Sequence, residues 1–153
     1  MEHIAEKSWN VPNRIEAMAA AARDVFDWMA SLPISSRAKY SAGLVVEEMV
    51  GNSIKYAFDD NREHFLHFSI RVLKSSLKLV FEDDGKPFDP TLHPPPDVER
   101  LVGSSKIGGL GIQLVRRVCS KMSYERVGNL NRTTLLIRKL EAEDSLPFPP
   151  LHP

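Results

Sequence analysis

The stretch that most constrains what this chain can become is Gly43–Phe58, GLVVEEMVGNSIKYAF. On a helix turning by about 100° per residue, Gly43, Val46, Val50, Ile54 and Ala57 fall on one stripe, which must face a core. Glu48, Asn52 and Lys55 gather on roughly the opposite side, at steps of four and three residues. The helix therefore carries a carboxylate, a carboxamide and an ammonium in a row. A solvated polar face is the ordinary account of such a row. A functional account requires other parts of the chain to converge on it.

The flanking pattern supplies a fold to hold that helix. A strand is expected around His3 to Trp9. Asn10 or Asn13 is a candidate cap for a first helix, with Pro12 in its first turn. Ile15, Met18, Ala22, Val25, Phe26 and Met29 then recur at helical steps to about Ala30. Ser31-Leu32-Pro33 ends that helix. Ser35 or Ser36 opens the next, which stops near Asp59-Asp60-Asn61. The period then changes. His64 to Leu73 alternates aromatic and β-branched residues, Lys74-Ser75-Ser76 turns, and Leu77 to Glu82 forms the antiparallel partner. A Pro-rich stretch, DPTLHPPPDVERLVG, follows; Pro94, Pro95 and Pro96 exclude a regular helix there. A glycine cluster opens a third helix with Ile112, Val115, Val118 and Cys119 on its apolar side, and Met122 to Val127 and Thr133 to Leu140 form a second hairpin around Gly128-Asn129. The order helix, helix, hairpin, lid, helix, hairpin predicts an α+β two-layer sandwich, with a mixed, mainly antiparallel sheet and helices on one face. Residues 1–141 read as a single domain and residues 142–153 as a Pro-rich tail, extended or disordered.

Composition excludes several function classes. Lys plus Arg and Asp plus Glu each number 20, so no net charge favours nucleic acid or an anionic membrane as partner. A single cysteine, Cys119, rules out an intrachain disulfide and fits a reducing compartment. No apolar run approaches the roughly 18 residues of a membrane span, and MEHIAEKSW lacks the regions of a signal peptide, so a cytoplasmic protein is expected.

Two further features converge on the Glu48–Asn52 face. Asp83-x-Gly85 follows the second strand, where an Asp-Gly turn is common. Gly108-Gly109-Leu110-Gly111 opens a helix, where bare backbone N–H groups and the helix dipole favour an anion. Each is weak alone. In this order, on these element types, they are specific.

With these three segments, EEMVGNSIKYAF, FEDDGKPFDP and GGLGIQLVRRV, the chain resembles the GHKL, or Bergerat-fold, ATP-binding family of gyrase, histidine kinases and mismatch-repair ATPases. Within it the chain most resembles the bacterial anti-sigma-factor serine/threonine kinases of the RsbW and SpoIIAB group. The resemblance runs from about Asn13 to Leu140. It implies ATP and Mg²⁺ as cofactors, with Asn52 as the metal-coordinating residue and Glu48 as general base toward an attacking hydroxyl. Glu47 is adjacent but points away from the Asn52 side. Lys55 resembles a basic residue near the phosphates, with a solvated surface lysine as the alternative. Asp83 matches the aspartate that accepts a hydrogen bond from the adenine amino group; Asp84 is the alternative in a shifted register, but lacks the Asp-x-Gly spacing. Gly85 lets the turn lie against the base. Gly108, Gly109, Leu110 and Gly111 match the phosphate-holding turn, Lys106 is a candidate phosphate partner, and Thr134 a candidate hydroxyl near adenine. Asn131-Arg132 occupies a spot where the family commonly has glycine.

The resemblance further implies a homodimer, an anti-sigma-factor antagonist of STAS type as phosphoacceptor, and a sigma factor as second partner. Three rivals remain: a nucleotide-binding partner-switch module without kinase activity, a stand-alone histidine-kinase-type ATPase domain, and an orphan α+β domain with chance motifs. None of the five histidines lies in a long helix suited to a phosphoacceptor dimer.

Overall fold

The computed structural model describes residues 5–92 and 110–139. Strand β1 (Ala5–Pro12) precedes helices α1 (Ile15–Met29) and α2 (Ser36–Tyr56); β2 (Phe65–Val72) and β3 (Ser76–Asp83) form a hairpin; a short 3-10 turn spans Pro90–Leu92; α3 (Leu110–Val118) leads to the hairpin of β4 (Lys121–Val127) and β5 (Leu130–Arg138). The sheet order is β1-β2-β3-β5-β4, and each of its four pairings is antiparallel. The helices cover one face, giving the expected two-layer α+β architecture.

Strand alternation decides which face is covered. Phe68, Ile70 and Val72 of β2, Leu77, Leu79 and Phe81 of β3, and Leu135 and Ile137 of β5 point into the core, where they meet Val25 and Met29 of α1, Val45, Val46, Met49 and Val50 of α2, and Ile112, Val115 and Val118 of α3. Each fully buried side chain of this size contributes about 1.5–3 kcal/mol. Trp9 stacks on Phe68 with ring centroids 4.9 Å apart and meets Trp28 edge-on at 5.7 Å, closing the β1 end of the core. The opposite face carries charge. There Arg132 lies between Glu82 (2.6 Å) and Glu125 (3.3 Å) across three neighbouring strands.

Several boundaries differ from the sequence reading, each for a tertiary reason. Pro12 ends β1 instead of opening α1, because an edge strand tolerates the missing N–H. Helix α1 is preceded by Arg14, and neither Asn10 nor Asn13 caps it. The Asn13 side chain instead accepts from the His64 backbone N–H, and the Asn13 N–H donates to the His64 carbonyl, both at 3.0 Å, fastening the start of α1 to the start of β2. Ser35 caps α2 as expected, its hydroxyl accepting from the Ala38 N–H at 3.0 Å. That helix ends at Tyr56, before Asp59, and the Ala57 carbonyl accepts from the Lys86 N–H at 2.9 Å. The end of α2 is thus tied to the turn after β3. Strand β5 begins at Leu130, three residues ahead of Thr133, because Asn131 and Arg132 pair with Asp83 and Glu82. Gly128, at φ 61°, makes the preceding turn. The Pro-rich lid beyond Leu92 and the C-terminal tail lie outside the described residues.

Candidate functional site

Helix α2 lies at the centre. Its apolar side sits on the sheet, and Gly43 admits the Phe26 ring, which a Cβ at that position would strike. This close α1–α2 packing fixes how α2 is rotated. Glu48 then falls beneath the first turn of α3 rather than on a solvated face. A Cβ on Gly111 would fall inside the van der Waals envelope of the Glu48 carboxylate, so glycine at that helix start leaves the carboxylate its place. Burial pushes the Glu48 carboxyl above its ordinary range, the neighbouring Glu47 charge adds to this, and Lys55 opposes it. Glu47 itself is exposed. Asn52 lies one turn along from Glu48 and is half-buried; Lys55 follows and is exposed.

The second wall is the end of β3. Asp83 points toward α2 and accepts three hydrogen bonds. Ser53 Oγ donates to Oδ2 at 2.9 Å, while the Gly85 N–H and the Asn131 side-chain amide donate to Oδ1 at 2.9 and 3.0 Å. Gly85 is buried against the end of α2, where a Cβ would meet the Ala57 carbonyl and methyl. Asp84 turns the other way, exposed and paired with His64 at 3.3 Å. Between α2 and the ends of β2 and β3 lies a cleft walled by Met49, Val50, Ser53, Phe68, Phe81 and Asp83.

The structure therefore sets Glu48 against Gly111 at the start of α3, and Asp83 and Gly85 against Ser53 and Ala57 at the C-terminal end of α2, with Asn52 one turn beyond Glu48 along the same helix. Lys106, Gly108 and Gly109 lie outside the described residues. Leu110 begins α3. Thr134 does not join the group. It pairs with Val80 and Ser123 on the outward parity of the sheet, away from Asp83. Strand alternation gives the inward position to Thr133, which is buried and shares its face with Asn131 and Phe81. Phe88, in the turn after β3, is 40% exposed.

Ser53, Asn131 and Tyr124 were missed as contributors. Asn131 is buried; its amide also donates to the Lys86 carbonyl at 2.8 Å, and its carbonyl accepts from the Phe88 N–H at 3.2 Å and from the Tyr124 hydroxyl. One signal was available: Asn131, Thr133, Leu135 and Ile137 share a parity, so two polar residues continue an inward-facing row. A polar side chain on that row must find partners inside.

The donor set fits the groups that the motifs imply. A carboxylate offers about four acceptor positions, and three donors on Asp83 leave one for an N–H of a ligand. The Asn52 carboxamide supplies a hard oxygen of the kind Mg²⁺ takes alongside phosphates and water.

Residues 11–139 match the family model of the histidine kinase-like ATPase domain. The serine/threonine-protein kinase BtrW of Bordetella bronchiseptica is 26% identical over 125 residues, covering 79% of this chain and 88% of that protein. The solved RsbU and RsbW domains of Rv1364c from Mycobacterium tuberculosis superpose with a TM-score of 0.63 at 10% identity, over 88% of this chain and 32% of that one. This chain thus spans about a third of that structure's length, and the likeness is one of fold. With the match extending over nearly the whole described fold, the chain belongs to the histidine kinase-like ATPase domain family.

Proposed function

We propose that this protein is an ATP- and Mg²⁺-dependent serine/threonine protein kinase that acts as a partner-switching regulator, phosphorylating a serine or threonine of a STAS-type anti-sigma-factor antagonist. The observation that carries the reading is Glu48. It is a carboxylate one helix turn from Asn52, partly covered by Gly111, with its proton affinity raised by burial. A base whose pKa is drawn up toward the working pH is suited to taking a hydroxyl proton during transfer.

In this scheme Asp83 accepts from the adenine amino group and Gly85 keeps the turn against the base. Asn52 holds Mg²⁺, which when bound neutralises charge on the phosphate oxygens. Glu48 takes the proton of the acceptor hydroxyl as its oxygen attacks the γ-phosphorus and the bond to the β–γ bridging oxygen breaks, leaving ADP. Positioning and electrostatics supply most of the rate. BtrW is itself described as a serine/threonine-protein kinase, which supports the choice of hydroxyl acceptor. A sigma factor as second partner and a homodimer complete the proposal.

Titration calorimetry with ATP and Mg²⁺ tests the site: Asp83→Asn and Asn52→Ala are each expected to weaken binding severely, and unchanged affinity refutes the assignment. Incubation with labelled ATP and candidate STAS-type antagonists tests the chemistry. Transfer is expected, and Glu48→Ala is expected to abolish it while ATP binding persists. ATP binding with no labelled acceptor in the proteome would leave a nucleotide-binding switch without kinase activity.

A further inference from the structure

We propose that Asn131 is a positioning residue that sets the base selectivity of the nucleotide site, by fixing which lone pair of Asp83 is offered to the ligand. The inference rests on the reading of Asp83 as the base-recognising group and deepens it.

Asn131 is 6% exposed, and its hydrogen-bonding capacity is fully used. The side-chain amide donates one hydrogen to Asp83 Oδ1 at 3.0 Å and the other to the Lys86 carbonyl at 2.8 Å. The side-chain carbonyl accepts from the Phe88 N–H at 3.2 Å and from the Tyr124 hydroxyl. These four bonds fix the orientation of the amide, because a flipped group would set its hydrogens against the Phe88 N–H and its oxygen against two acceptors. One buried side chain thereby holds Asp83, Lys86 and Phe88 in a single geometry, from a strand 48 residues further along the chain.

The consequence lies at Asp83. Oδ1 receives both the Gly85 N–H and the Asn131 amide and is saturated. Oδ2 receives only Ser53, so the remaining acceptor position lies on Oδ2, beside α2 and the cleft. That position takes a donor and repels a carbonyl. A 6-aminopurine satisfies it; a 6-oxopurine sets a lone pair against a carboxylate. Without Asn131, Oδ1 has a free acceptor position and the carboxylate can rotate, so its preference for one ligand geometry weakens. Asn131 need not touch the ligand to do this.

The test compares ATP with purine riboside triphosphate, which lacks the 6-amino group, by calorimetry on the whole chain in the presence of Mg²⁺. Loss of the amino group is expected to weaken binding to the wild type by about 10- to 100-fold. In Asn131→Ala the ratio is expected to collapse to about 3-fold or less, because ATP loses affinity and the analogue does not. A merely structural role would weaken both ligands together and leave the ratio intact, which overturns the proposal. Asn131→Asp gives a second readout. It sets two carboxylates about one hydrogen bond apart, which favours holding a shared proton as pH falls. ATP affinity is expected to be poor at pH 8 and to recover toward pH 6, as the protonated side chain donates to Asp83 again; no recovery also overturns the proposal. A wild type that binds both ligands equally, or neither, refutes the assignment of Asp83 to the base, and this inference with it.

Discussion

The Glu48 carboxylate and the Cα of Gly111 are in contact across the seam between α2 and α3, with no room for a methyl group between them. The atom that a Cβ would strike is the far end of a flexible side chain, so Gly111→Ala displaces Glu48 rather than the helices. Alanine also favours a helical backbone over glycine by about 0.5–1 kcal/mol. The melting temperature is therefore expected to hold or rise slightly. Phosphoryl transfer is expected to fall by about 100-fold, the usual result of a small misplacement of a reacting group. Thermal melts and single-turnover transfer on the same preparations check both halves. A variant that transfers normally shows that the contact does not matter to the chemistry.

Glu48→Gln separates stability from activity. The folded Glu48 carboxyl holds its proton more tightly than an ordinary glutamate, near 4.5, so its ionisation favours the unfolded state. Stability attributable to this group is fully present below about pH 4.5 and is lost as pH rises through the folded value. At pH 7 the neutral variant is expected to be the more stable by less than about 1 kcal/mol, since the side chain is partly solvated. The difference should vanish in acid. Urea denaturation from pH 4 to pH 8 measures it, and transfer by the variant is expected to be absent.

Gly85→Ala is expected to be costly, in contrast to the substitution at Gly111. Here the added methyl meets the Ala57 carbonyl, a backbone atom that cannot swing aside, at 2.5 Å. The same carbonyl accepts from the Lys86 N–H, so the clash also strains the link between α2 and the turn. Destabilisation of about 1–3 kcal/mol is expected, with weakened nucleotide binding. Equilibrium unfolding checks the first and calorimetry the second.

His64 predicts a pH dependence near neutrality. Its Nε2 lies 2.7 Å from Asp60 and its Nδ1 3.3 Å from Asp84, while the ring stacks on Phe58 at 4.1 Å. The hydrogen bond to Asp60 is the main reason its pKa rises above 6.5, and the nearby charges of Asp60 and Asp84 add to the rise. The stabilisation is fully present below about pH 6.5 and fades as pH climbs through the higher folded value. Denaturation midpoints of the wild type are expected to fall across that window, with His64→Gln lacking this component. Parallel curves for the two proteins would exclude the pair as a contributor.

The elements themselves were legible because helical and strand periods are properties of the backbone read over a few residues. The extent of α2, the Ser35 cap and the alternation of β2 and β3 all followed from such short-range patterns. Errors came where a local preference lost to a distant partner. Asn13 suits a helix cap, yet it bonds His64, 51 residues away. Pro12 suits a helix start, yet pairing with Phe65 carries it into β1. Thr134 matches by motif position, yet its pairing with Val80 turns it to the outward face, and Thr133 opposite Phe81 takes the inward one.

The amino-acid sequence by itself determined the α+β layering, the Glu48–Asn52 spacing, the Asp83-x-Gly85 turn and the glycine at the start of α3, since each depends on neighbours within a turn or two. The tertiary structure alone decided that Glu48 lies against Gly111, that Asp83 turns inward while Asp84 meets His64, and that Ser53 and Asn131 occupy three-dimensional positions around one carboxylate. Those contacts join residues 30 and 48 positions apart. They depend on the register of β3 with β5 and on the packing of α2, and no local period encodes either.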